Sequence, residues 1–302
     1  MTRNLIAYGQ LAAGMALFGS ATPVSKIVTQ AFPVFLASGM RAATASIVLA
    51  AVMAAQRTEI TALNRREWGL LALIAAIGMV GFSVAMLYGM KLVSGVAGSI
   101  VMSTTPAVTA IASYLFLKES LGWRKSLAVA LAVLGVLILN LAGSGDGGRT
   151  ALLGVALVFA AVIAEACYTL LGKRANKTLR PTTVAGLSGM LGALMFAPPA
   201  IWQGLSFDFA APSLGEWAAM LWWGVGTMGL GSILWYRGVA KVSGSVAAGF
   251  MGVMPVSALV LSYVLLGEPF EWMQLVGFAV VFAGVLLIAW THAQGAQSKN
   301  GD

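Results

Sequence analysis

The sequence predicts an all-α integral membrane protein of ten transmembrane helices, built as two inverted five-helix repeats. Three observations carry that prediction: the composition, a repeat within the chain, and the placement of lysine and arginine. The 302 residues are 59% hydrophobic and 9% charged, with a mean hydropathy of +0.90. A soluble domain carries about 25% charged residues, so most of this chain must lie in lipid. The net charge of +8 does not indicate nucleic acid, because the basic residues sit in short clusters between long apolar runs. That is the pattern of loops facing an anionic leaflet.

Sliding the sequence by 149 lays 67–139 over 216–288 without a gap. Glu67-Trp68 meets Glu216-Trp217, Met79 meets Met228, Ser83 meets Ser232 and Gly89 meets Gly238. Further on, Met102 meets Met251, Pro106 meets Pro255, Glu119 meets Glu268 and Trp123 meets Trp272. An apolar chain matches itself easily by chance, but not with Gly, Pro, Trp and Glu in register. The chain reads as an internal duplication.

Ten apolar segments follow in order. The first, 4–25, is interrupted by Gly14, Gly19 and Pro23 and matches 150–172 in the other half, so it reads as a retained span and not a signal peptide. The segments 33–55, 67–90, 95–117 and 122–142 complete one repeat, 1–142. A Gly/Ser-rich linker, 143–149, leads to the segments 150–172, 181–202, 215–236, 244–266 and 271–291 of a second repeat, 150–292, and a cytoplasmic tail at 293–302. Each segment has about the 20 residues that a helix needs to cross the hydrocarbon. Helices are required because each backbone polar group must be satisfied inside its own segment.

With the N-terminus in the cytoplasm, inside loops collect fourteen basic residues, among them Arg65, Arg66, Lys118, Lys173, Arg174, Lys177, Arg237 and Lys241. Outside loops receive only Lys26, Lys91 and Arg149. The bias puts both termini inside. An odd number of spans per repeat then turns the second upside down, and the charges agree: Lys118, Arg124 and Lys125 align with the uncharged Gly267, Met273 and Gln274. Inverted repeats place a substrate site near the midplane, between the halves.

The run Pro255-Val256, Leu266-Gly267-Glu268-Pro269, Gln274-Leu275-Val276-Gly277 and Gly284-Val285-Leu286, with its twin from Pro106 through Glu119 to Gly135-Val136, resembles the signature of the drug/metabolite transporter superfamily, EamA type. Length, a Met/Trp-rich interior and short tails look most like its bacterial aromatic amino acid exporters (YddG type). The resemblance implies a basket-like bundle around a central cavity in the bacterial inner membrane, exporting amino acids and some xenobiotics, with the fifth and tenth helices peripheral.

Ionisable groups inside a span are the first candidates for the site, because a charge at mid-bilayer costs roughly 2.5–3.5 kcal/mol even on the mildest scale. Glu165 lies mid-span in the sixth helix and Arg41 within the second. The surroundings of Glu165 are similar to the membrane carboxylate segment of small multidrug resistance proteins, which implies a proton or ammonium site. The alternative is a carboxyl paired with Arg41 across helices, and pairing is the simpler role for Arg41. Met79, Ser83 and Met86 share one helical face, as do Met228, Ser232 and Trp235. With Ser20, Met102, Thr105, Tyr168 and Met251, these are the expected cavity wall, although any single methionine is better read as core. Pro106, Pro255 and Gly19 are candidate hinges. Glu119 and Glu268, at span ends beside helix starts, read as caps.

The match of 224–229 to a dinucleotide fingerprint lies inside an apolar helix and follows no strand, so it is noise. One cysteine, Cys167, and one histidine, His292, leave nothing for a disulfide, a metal site or a catalytic pair. No cofactor, metal or nucleic acid is expected, and neither an intramembrane enzyme nor a channel is favoured. The reading is a secondary exporter of amino acids, aromatic or apolar ones preferred, working by alternating access; a monomer suffices and a dimer is compatible. The alternative is an exporter of xenobiotic, lipophilic cations coupled to protons through Glu165.

Overall fold

A computed structural model describes residues 2–55, 63–117, 123–142, 148–239, 241 and 250–298; among these residues there are helices and no strand. Helix α1 (Thr2–Gly19) and α2 (Ala21–Ala31) form one apolar run interrupted at Ser20. The run continues beyond residue 25, where the sequence reading closed it. Pro23 falls in the first turn of α2, the part of a helix that best tolerates a missing N–H. Helix α3 (Val34–Ala55) starts after Pro33, and the Gln203 Oε1 accepts from the N–H groups of Phe35 and Leu36 at 2.9 and 3.0 Å. This side chain satisfies two of the orphan donors at the start of α3.

The region that repeats in sequence also repeats in structure. Helix α4 (Arg65–Leu73) opens on a capping box between Asn64 and Glu67, widens into a π-helical stretch at Ile74–Gly81 and continues as α5 (Phe82–Leu92). Later, α11 (Leu214–Leu221) opens on a capping box between Ser213 and Glu216, widens at Trp222–Leu230 and continues as α12 (Gly231–Val239). Between these two come α6 (Gly95–Met102), a turn at Ser103-Thr104, α7 (Thr105–Leu117), α8 (Trp123–Ala142), α9 (Gly148–Ala175) and α10 (Pro181–Leu205). The chain closes with α13 (Val253–Leu266) and α14 (Trp272–Ser298). Gly148 and Arg149, read from sequence as linker, are the first residues of α9. Residues 242–249, the expected start of the ninth span, and Glu119 lie outside the described residues.

Among the described residues six apolar stretches are long enough to cross a membrane: Leu5–Ala31, Val34–Ala55, Arg65–Leu92, Gly95–Phe116, Thr150–Ala175 and Thr183–Leu205. Two shorter ones are Val253–Leu266 and Trp272–Leu287. Large apolar side chains such as Phe116, Leu194, Trp202 and Val264 stand on outer faces, where water would penalise them and lipid does not.

α8 packs chiefly on α14, α3 on α10, α5 on α9, and α1 on α12 and α13. Small residues bring the backbones together. A Cβ on Gly14 would fall 2.9 Å from the Trp235 nitrogen, and one on Gly19 would collide with the Met254 carbonyl and the Ser257 hydroxyl. The main apolar cluster joins Met86, Met90, Ile100, Met102, Val158 and Val162. A second joins Val28, Phe32, Leu87 and Trp223.

Candidate functional site

Between α1, α3, the first π stretch, α5, α9 and α10 lies a cavity of about 300 Å³. Both mid-span charges reach it. α3 contributes Ser38 and, one turn on, Arg41; α9 contributes Glu165 and Tyr168; the π stretch supplies Gly78 and Met79, and α5 supplies Phe82 and Ser83. Phe18 and Phe196 complete an apolar wall. Within the wide π turn a Cβ on Gly78 would meet the Tyr168 ring at 2.5 Å, so glycine there lets the ring lie against the backbone. Such turns recur at functional sites.

Arg41 is held by stacking. Its Cζ stands 4.3 Å from the centre of the Trp223 ring and 6.0 Å from that of Phe82, a cation–π arrangement. Its Nε is buried with no hydrogen-bond partner, as is the Ser38 Oγ beside it. Buried donors of this kind are costly unless something meets them. Glu165 is anchored differently. Its Oε2 accepts from Thr105 Oγ1 at 3.0 Å, and that hydroxyl lies 2.8 Å from the Met102 carbonyl. Met102 is four residues before Pro106, so its carbonyl is the one the proline leaves without a donor. Arg41 and Glu165 feel one another's charge but share no hydrogen bond, so Thr105, and not Arg41, holds the carboxylate.

Of the residues singled out in sequence, Arg41, Met79, Ser83, Glu165 and Tyr168 come together here, with Thr105 touching Glu165. The others are placed elsewhere. Met86, on α5, and Met102, on α6, are buried in the main apolar cluster together with Val158 and Val162 of α9 and pack as core. Ser20 is buried at the α1–α2 break, donates to the Leu17 carbonyl at 2.6 Å and accepts from Trp222 Nε1 at 3.0 Å. Trp235 packs by its backbone on Gly14, and Met251 is 49% exposed just before α13. The side chains of Met228 and Ser232 lie outside the described residues. Pro106 stands one residue into α7, after the turn that ends α6; Pro255 occupies the first turn of α13; Gly19 ends α1.

Sequence reasoning missed Phe18, Ser38, Gly78, Phe82, Phe196 and the Trp223 platform. Ser38 carried a signal, since it lies three residues before Arg41 on the same helical face. An isolated phenylalanine in an apolar helix carries none. Among the described residues no cluster of His, Cys, Asp and Glu could hold a metal.

Two stretches of the chain, 5–141 and 152–290, match the EamA-like transporter family. A protein of Bacillus subtilis named "Uncharacterized transporter YetK" is 37% identical over 94% of this chain and 87% of its own length. One from Streptantibioticus cattleyicolor named "Probable terminal-alkyne amino-acid exporter" is 26% identical over 90% of this chain and 89% of its own. A solved crystal structure shares the fold, with a TM-score of 0.63 at 20% identity over 95% of each chain.

Proposed function

The chain belongs to the EamA-like transporter family, and from that premise we propose that it is a secondary carrier exporting amino acids, with aromatic or apolar side chains preferred. One observation carries the substrate class. A cation and a carboxylate, each fixed by a separate partner and neither neutralising the other, face one cavity walled by Phe18, Phe82, Phe196, Tyr168 and Met79. That arrangement complements a zwitterion with an apolar side chain. The substrate carboxylate takes the unmet donors of Arg41 and Ser38, the ammonium goes to Glu165, and the aromatic wall takes the side chain. The amino-acid exporter among the relatives supports the same class.

The mechanism is alternating access between two inverted five-helix repeats making up ten spans, with both termini on the cytoplasmic side of a bacterial inner membrane. The cavity draws on both repeats: Arg41 comes from the first and Glu165 from the second. A monomer holds all the groups required. Export of lipophilic cations coupled to protons at Glu165 is the rival reading; Arg41 opposes it by placing a positive charge in the same cavity.

Proteoliposome counterflow tests the proposal. Phenylalanine and methionine are expected to exchange, and a quaternary aromatic cation is not. Exchange of the cation alone, driven by a pH gradient and abolished in Glu165→Gln, overturns the amino-acid reading.

A further inference from the structure

The turn between α5 and α6 is gripped from two sides by charged side chains of other elements. Lys26, on α2, donates from Nζ to the carbonyls of Met90 and Val93, each at 2.6 Å. These carbonyls close α5, where helical partners run out and the dipole favours a cation. Glu268, beyond α13, accepts from the N–H of Gly95 at 2.5 Å with one oxygen and from that of Val96 at 2.8 Å with the other. Ser94 Oγ takes the next donor, Ala97 N, at 3.0 Å, so the first three N–H groups of α6 are all satisfied. A carboxylate over a helix N-terminus is the favourable sign. Lys26 and Glu268 lie near enough for their own charges to attract as well.

Two details show that this fit is built. Gly267 adopts φ 62, the left-handed region that glycine tolerates, and so ends α13 and turns the chain towards α6. Gly95 packs close beneath the carboxylate: a Cβ there would push Leu266 Cδ1 aside and lie 3.2 Å from Glu268 Oε1. Below the grip, Ser99 and Ser262 hydroxyls meet at 2.9 Å in a buried α6–α13 seam. The grip therefore joins residues 26 and 90–96 of the first half to residue 268 of the second.

We propose that Lys26 and Glu268 form the clasp that closes the transporter at the end carrying the α5–α6 turn, and that it opens once per transport cycle. The lysine and arginine bias assigns this end to the outside. The proposal rests on the alternating-access reading: when the halves part at this end, Glu268 must leave the α6 N-terminus. A bidentate, charge-assisted cap is strong enough to hold that end shut, yet it can be exchanged for water without breaking a helix.

The test uses the full chain in proteoliposomes of known orientation, with Cys167→Ser and a single reporter cysteine at Ser83 for labelling. Phenylalanine exchange is measured in parallel in the same Lys26 and Glu268 variants with Ser83 and Cys167 intact. A membrane-impermeant maleimide is added from the outside. Labelling should accelerate about tenfold in Glu268→Gln and in Lys26→Met, the shift in population that one lost charge-assisted hydrogen bond supports. It should return to the parent rate in Lys26→Arg. Should a glutamine variant fail to yield monodisperse protein, Lys26→Met carries the test. Unchanged labelling in Lys26→Met and Glu268→Gln, with phenylalanine exchange intact, overturns the clasp and leaves the exporter reading standing. Accelerated labelling in a protein that exchanges no amino acid supports the clasp and removes the substrate assignment.

Discussion

At the residue scale, the consequential contrast is how the two charges in the cavity are held. The Arg41 guanidinium stands over the Trp223 ring with an unmet Nε, whereas Glu165 leans on the Thr105 hydroxyl. Replacing Arg41 with glutamine should raise the KM for phenylalanine at least tenfold and leave aromatic amines such as phenethylamine no worse bound, measured by counterflow. Lysine should not rescue it, since an ammonium lacks the planar face that stacks on the indole. Thr105→Val removes the hydroxyl shared by Glu165 and the carbonyl freed by Pro106. It should lower stability by about 1–3 kcal/mol, read as an earlier thermal transition in detergent. Both charges were legible in the sequence, because an ionisable group in an apolar span is rarely accidental. Their pairings were not: Thr105 was expected in the cavity wall but not as the partner of Glu165, and Trp223 gave no signal, because each comes from a helix other than that of the charge it meets.

At the element scale, caps and breaks organise the chain. Asn64→Ala should cost about 1 kcal/mol by removing half of the capping box that starts α4, visible as faster amide exchange at residues 65–68. Gly19→Val should do far more: a branched side chain there runs into the Met254 carbonyl of α13. The expected outcome is loss of accumulation in the membrane, checked by immunoblot of the membrane fraction. Helix existence and the breaks near Gly19 and Pro106 could be read from local residue types; that Glu268 caps a helix could too, but not that the helix is α6 of the other half. The π stretches could not. Nothing in Ile74–Gly81 marks a wide turn except glycines, and those occur throughout the chain. In an α-helix each residue advances the face by roughly 100°, so a change of pitch re-aims whatever follows. Met79, inside the π stretch, and Ser83, just beyond it, reach the cavity, whereas Met86, one turn further along the same α-helix, packs in the main apolar cluster with residues of α6 and α9.

At the scale of the whole molecule, two similar halves meet around a hollow that takes one charge from each. If the second is inverted, reporters fused at residue 1 and residue 302 must report the same cytoplasmic side; opposite sides would overturn the ten-span topology. The medium, the helical class and the duplication were settled by the sequence alone, since each follows from quantities that add along the chain: apolar length, charge spacing and residue-by-residue repetition. Which members of the Met/Ser/Trp set surround the cavity was decided only by the tertiary structure. The side of a helix that faces the hollow depends on its pitch and on the helices lying against it, and neither is written in the helix's own residues.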